Sequence, residues 1–291
     1  MLLDKNTLRL LRIPFSFFLM PLFLLALSQS GQSILEPNVI LSFLIIHLLV
    51  YPASNGYNSY IDKDEDSIGG IEKPPMPTIH LFYLTLFLDV TALILSAIFI
   101  HYTFAGCILI YILASRAYSS KEIRLKKYPL IGFLTVVFFQ GAFTYYMAYL
   151  GIAGQVVSLT TPTLYLLVAC SFQIAGAYPL TQVYQHQQDL KDGVVTISYK
   201  LGYKGTFVFT GLMFGITNIF YFLYFDAIEK LTNFYVLQLF FIPIVAYYVY
   251  WFVQVIASND AANFKNTMRM NLIAALCMNG CFALLYFINQ T

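Results

Sequence analysis

Charge is scarce in this chain of 291 residues. Asp, Glu, Lys and Arg together make up 10% of it while 59% is hydrophobic, a balance that no soluble domain of this size tolerates on its surface. The scarcity excludes a soluble fold and points to a protein embedded in a bilayer. Cysteine is sparse too. Cys107, Cys170, Cys277 and Cys281 show no CxxC pairing, which argues against a thiolate metal site and leaves them as packing residues. A net charge of +2 is too small to suggest nucleic acid as a partner. There is no low-complexity stretch, no Ser/Gly linker and no hydrophilic block long enough for a separate soluble domain, so residues 1–291 read as one domain. The first apolar run lacks a small-residue cleavage site and reads as an anchor, not a removable signal.

What the chain has in quantity is apolar sequence. Runs near the roughly 20 residues needed to cross a bilayer lie at 13–30, 38–55, 80–100, 102–117, 129–150, 158–180, 206–225, 234–256 and 270–288. The expected fold class is an all-α integral membrane protein, about nine transmembrane helices in one bundle. Its 27 Phe and 23 Tyr suit lipid-facing surface and interfacial belts. Lys and Arg concentrate in short cytoplasmic loops, so their distribution tests the count. With nine spans and a cytoplasmic N-terminus, fifteen of the sixteen basic residues fall on one side and only Lys230 on the other. Losing one span would scramble the later loops. The chain therefore reads as a multi-pass protein of the cell (inner) membrane, with its N-terminus and long loops cytoplasmic.

Three stretches on that side concentrate the polar chemistry. The first runs from Asn58 to Asp66, Asn-Ser-Tyr-Ile-Asp-Lys-Asp-Glu-Asp, directly after a membrane-grade run. If it is helical, Asn58, Asp62 and Asp66 stand about 6 Å apart along the axis and drift only about 40° per step. One face then offers an amide oxygen and two carboxylates. Such hard donors suit Mg²⁺, which takes one or two protein carboxylates and completes its octahedron with water and phosphate oxygens. A solvated membrane edge is the simpler account of the same acids. In the second stretch Gln185 and Asp189 repeat the four-residue spacing, and Gly193 to Thr196 marks a turn toward the next helix. Read alone it is an ordinary polar loop, and His186 within it a hydrogen-bonded loop histidine. The third, Arg116 to Lys127, holds five basic residues in twelve, which topology and anionic lipid headgroups would explain. Acids that bind Mg²⁺ beside cations that bind phosphate are what a diphosphate requires, and three loops on one face strengthen that reading.

These residues resemble the UbiA superfamily of intramembrane prenyltransferases over nearly the whole chain. An NxxxDxxxD element follows the second span as Asn58, Asp62 and Asp66, with Lys63 after the first Asp. Lys73-Pro74-Pro75-Met76-Pro77 is similar to the family's Lys-Pro-x-x-Pro segment, with Met76 where Arg is common. Tyr118-Ser119 and Arg124-Leu125-Lys126 look like its Tyr-Ser…Arg-Leu-Lys stretch. Asp189, Gly193, Thr196 and Leu201-Gly202 stand in the order of its second acidic element. Gln185 departs from the pattern where an Asp is expected, which removes a formal charge. Asp192, one turn from Asp189, offers a replacement carboxylate. Glu122 also departs, where some relatives keep Lys.

The resemblance implies that Asn58, Asp62 and Asp66 bind one Mg²⁺, and that Asp189 binds a second with help from Gln185 or Asp192. Lys63, Lys73, Arg116, Arg124 and Lys126 would hold the diphosphate, and Tyr118 would lie nearest the reacting carbon of a polyprenyl diphosphate. The partner substrate would be a small aromatic, quinone-precursor or lipid acceptor. Two other functions stay open. One is a non-catalytic family member that binds isoprenoids, and the other a secondary transporter, which would place its charges near the midplane. Asp89 is the one acid expected inside a span. It either meets the acceptor or a proton path, or pairs with a polar neighbour in the bundle, and the pairing is favoured.

Overall fold

The computed structural model describes residues 4–191 and 193–290. Among them the long elements are all helices, and extended pairing is confined to one antiparallel bridge between Ile68 and Ile71. The helices are α1 Lys5–Leu10, α2 Met20–Ser30, α3 Pro37–Asp62, α4 Ile79–Phe99, α5 Tyr102–Ser119, α6 Pro129–Ala153, α7 Thr161–Lys191, α8 Ile197–Ala227, α9 Leu231–Ala257 and α10 Phe264–Gln290.

Every expected span is helical, but the spans are unequal. Among the described residues seven helices, α3, α4 and α6 to α10, are long and apolar enough to cross a membrane, and the segment Lys5–Phe18 with α2 makes an eighth if that bent pair is one span. The bend is 47°. Pro14 opens the 3₁₀ segment Ile13–Phe18 that ends the first piece, and Pro21 sits at the start of the second, where the missing N–H interrupts a continuous ladder. Helix α5 has 18 residues, about 27 Å at 1.5 Å per residue. That falls short of a hydrocarbon core of about 30 Å, and α5 carries Arg116 in its last turn. The count of nine is therefore approximate, and seven to eight spans meet the test of length and composition.

The chain divides into two compact units, Met1–Leu125 with Tyr146–Val157, and Lys126–Tyr145 with Ser158–Thr291. In the first, Leu10 and Leu11 pack with Leu81 and Leu84 of α4 and with Ile68 and Ile71 of the loop after α3. That loop is thereby folded back onto helices instead of hanging free. Its turn uses Gly70 at φ +84°, a backbone state open to glycine at little cost.

In the second unit, α6 and α7 approach so closely at Gly141 that an added Cβ would stand 2.6 Å from the Ser171 backbone. Ser171 Oγ accepts from the Ala142 N–H at 3.2 Å. Helices α7 and α8 are joined by polar links that lipid cannot replace: Tyr221 donates to Gln173 at 2.6 Å, and Thr210 to the Gly176 carbonyl at 2.8 Å. Trp251 of α9 is fully buried, packs edge-on to Phe207 at 4.8 Å and donates to the Ala261 carbonyl at 2.7 Å.

Candidate active site

The last two turns of α3 carry Asn58 and Asp62, four residues apart on one face as the spacing predicts. Helix α5 holds that face in place with a matching period. Ser54 and Ser115 are 2.5 Å apart, and one turn on Ser119 donates to Asn58 Oδ1 at 2.7 Å. Both partners advance by four, so the helices run in the same direction at this seam. Sequence reasoning took Ser119 only as part of a family stretch. The shared four-residue period of Ser54/Asn58 and Ser115/Ser119 was the available signal.

The single-face picture stops at Asp62. Lys63 turns left-handed at φ 54° and its N–H caps the Ser59 carbonyl at 3.1 Å. Asp66 therefore lies on an exposed bend past the helix, not on the face that carries Asn58 and Asp62. The bend is secured from outside. Arg12 donates to the Asn55 carbonyl at 3.2 Å and to the Gly69 carbonyl at 3.5 Å while lying 5.7 Å from the Phe15 ring centre. Ser67 donates to the Glu72 carbonyl at 2.9 Å. Lys63 and Lys73 are exposed.

Arg116, expected among the diphosphate ligands, is engaged with side chains of the bundle. Its Nε donates to Asp89 Oδ2 at 3.1 Å, Nη2 makes a second, shorter contact to the same oxygen, and Nη1 donates to Thr85 at 3.3 Å. The guanidinium lies 3.9 Å from the centre of the Tyr57 ring. Three of its donors are thus committed inside the bundle. Asp89, 6% exposed, accordingly pairs with a polar neighbour, the alternative favoured from sequence. Tyr118 is half-buried in the same last turn of α5. Arg124 is left-handed at φ 47° and half-buried, and its Nε has no hydrogen-bond partner among the described residues.

In the second unit α7 carries the other acidic element. It is α-helical to Gln182, tightens to a 3₁₀ turn over Val183–Gln185 and resumes as α-helix over His186–Lys191. Gln185 and Asp189 are half-buried, and Lys126, in the 3₁₀ turn Leu125–Lys127, is also half-buried. The helix ends as expected at Gly193, φ 67°, whose N–H meets the Leu190 carbonyl at 3.1 Å. Thr196 then caps α8 by accepting from the Tyr199 N–H at 3.2 Å. His186 lies on the helix, not in a loop. It is buried, bonds Ser198 Oγ at 2.8 Å and stacks on Tyr203 at 4.7 Å. Asp192 lies outside the described residues.

These donors suit Mg²⁺ in one particular way. Among the described residues no three His, Cys, Asp or Glu side chains come together as a ready cage. Each unit instead offers one amide and one carboxylate a helical turn apart, which matches a cation that keeps its waters and shares substrate phosphate oxygens.

A helical membrane protein with paired amide and carboxylate donors at the ends of two helices is the class that fold and geometry define. The chain belongs to the UbiA prenyltransferase family, whose model matches residues 18–273. A search of the curated proteins finds no match. Among solved structures, a UbiA homolog from Archaeoglobus fulgidus bound to DMAPP and Mg²⁺ is similar with a TM-score of 0.68 at 17% identity, over 97% of this chain and 99% of that one. The homolog bound to GPP and Mg²⁺ gives 0.67 at 18% identity with the same coverage. A structure described for digeranylgeranylglyceryl phosphate synthase gives 0.62 at 18% identity, covering 98% of both chains. Likeness at these identities establishes the fold.

Proposed function

We propose that this chain transfers a prenyl group from a polyprenyl diphosphate to an aromatic, quinone-precursor or lipid acceptor, in the cell (inner) membrane and with its motif loops cytoplasmic. The observation that carries the reading is the family match over residues 18–273, on a chain that keeps Asn58 and Asp62 on one helix face. The structures of the archaeal homolog with Mg²⁺ and DMAPP or GPP support a prenyl diphosphate as the donor.

Asn58, Asp62 and Asp66 would hold one Mg²⁺, with Asp66 reaching in from its bend. Asp189 and Gln185 would hold the second. Mg²⁺ held by these residues would supply positive charge against the departing diphosphate. Lys63, Lys73, Arg124 and Lys126 take the remaining phosphate oxygens. Arg124 suits this task because a guanidinium fork matches a phosphate edge and its Nε is unclaimed. Arg116 is the exception among the basic residues. Paired with Asp89 and bonded to Thr85, it holds α4 and α5 together and lies against the Tyr57 ring of α3. Tyr118 shields the allylic cation with its ring face, which attracts positive charge without attacking it.

The test is direct. Purified protein is incubated with radiolabelled prenyl diphosphates of several lengths, Mg²⁺ and a panel of phenolic, quinone and glycerol-phosphate acceptors, beside Asp62→Ala. Product from the wild type and loss of at least a hundredfold in the variant are expected. Absence of product and of diphosphate release from both proteins would sink the enzymatic reading. Gln185, neutral where the family has a carboxylate, favours one second reading, an isoprenoid-binding member without turnover. That member would retain tight binding of prenyl diphosphate in the same assay.

A further inference from the structure

The buried amide of Gln182 lies one turn before Gln185 on α7. The residue is 7% exposed, and its Oε1 has no hydrogen-bond partner among the described residues. A buried acceptor left unmet costs about 1–3 kcal/mol and calls for an occupant. Its place on α7 indicates which occupant. Gln182 is the residue at which the helix tightens, at φ −97° and ψ −13°, and the 3₁₀ turn that follows has three residues per turn, so positions i and i+3 eclipse. By that geometry Gln185 comes to lie near the same face as Gln182, about 6 Å along the axis at about 2 Å per residue. Asp189 follows about 6 Å further with a drift of about 40°. His186 points about 100° away, toward Ser198 and Tyr203. Gln182, Gln185 and Asp189 thus form one line of oxygen-bearing side chains.

An unmet acceptor needs a donor, and a diphosphate at neutral pH has none to give. A water on a divalent cation does. A cation-to-water distance of about 2.1 Å plus an O–H···O distance of about 2.8 Å reaches at most roughly 4.9 Å, within one rung of about 6 Å. We infer that Gln182 Oε1 accepts a hydrogen bond from a water of the cation held by Gln185 and Asp189. The inference rests on the Mg²⁺ reading proposed above and deepens it. With Gln185 neutral, this outer contact orients the coordinated water and adds negative potential where the site lacks a carboxylate. Partners of this kind are typically worth 10- to 100-fold in metal affinity.

The test reads binding, not turnover. Mn²⁺ is titrated into detergent-solubilised full chain with inorganic diphosphate present, and free Mn²⁺ is followed by electron paramagnetic resonance. Wild type is expected to bind two ions. Gln182→Leu should weaken one of them about tenfold and leave the other, the one abolished by Asp62→Ala, unchanged. Gln182→Glu should tighten the same ion, a gain that misfolding cannot mimic. Affinities within twofold of wild type in both Gln182 variants would overturn the inference while leaving the two-ion reading intact. If wild type binds no Mn²⁺ under these conditions, the inference falls together with the reading on which it rests.

Discussion

Replacing Asp89 by leucine should be among the most damaging single changes in the first unit. The substitution leaves the Arg116 guanidinium stranded between α4 and α5, where it now makes two contacts to one Asp89 oxygen, a third to Thr85 and a cation–π contact with Tyr57. The side chains of Arg116 and Asp89 are 17% and 8% exposed, so little water replaces the lost carboxylate. Breaking a buried pair from one side costs about 3–5 kcal/mol, a hundredfold to a few thousandfold in the folding equilibrium. Two features place the expected loss near about 3 kcal/mol. The Tyr57 ring retains an attraction of up to about 2 kcal/mol when desolvated, and Arg116, in the last turn of α5, has a short path along which to snorkel.

The opposite truncation, Arg116→Met, should cost less. A stranded carboxyl group can discharge itself by taking up a proton, which a guanidinium cannot do. The double variant should regain most of the loss, because an apolar pair of similar volume removes both desolvation costs. Reversible unfolding of the four proteins in mixed micelles, read as a double-mutant cycle, checks all three statements. A coupling of at least about 2 kcal/mol is expected for neighbours sharing a network. Additive losses, or an Asp89→Leu protein within about 0.5 kcal/mol of wild type, would refute the account of Arg116 as a packing anchor and return it to the list of diphosphate ligands.

Two further outcomes follow from the geometry. Ser119→Ala removes the donor that holds Asn58 Oδ1; stability should fall by about 1 kcal/mol and the Mn²⁺ affinity of the Asp62-dependent ion by about tenfold, as measured by the same resonance titration. Gly141→Ala drives a methyl against the Ser171 backbone at 2.6 Å, so the melting temperature of the purified protein should drop by an amount equivalent to about 1–3 kcal/mol with no change in Mn²⁺ binding.

Positions of helices were legible because bilayer thickness imposes a length on apolar runs, and all nine runs are helical. Their standing as spans was less so. Arg116 shortens the apolar part of α5, and the prolines of the first span bend it, yet both features are plain in the sequence and only their consequence is not. Asn58 and Asp62 were legible for a similar reason, since the four-residue period is a property of the helix itself. Asp66 was not. Its departure begins at Lys63, a residue with no particular preference for the left-handed state, and the loop beyond it is tied at Gly69 by Arg12, some fifty residues earlier, and by the Ile68–Ile71 bridge. No local pattern encodes a contact made over that distance.

The charged residues show the same limit from the other side. Counting Arg116 among the phosphate ligands followed from the family resemblance of its stretch, which carries no information on what lies across the bundle. Its partner is Asp89, 27 residues away on α4, and a pairing across helices outweighs the company a residue keeps along the chain. Gln182 completes the contrast. The spacing Gln182, Gln185, Asp189 was visible, but only the 3₁₀ turn makes three and four residues into a straight line, and only burial shows that the first of the three lacks a partner. In both units, then, one helical turn of amide and carboxylate is written locally. The parts that would tune it, Ser119 for the first cation and Gln182 for the second, are identified by what lies beside them in space.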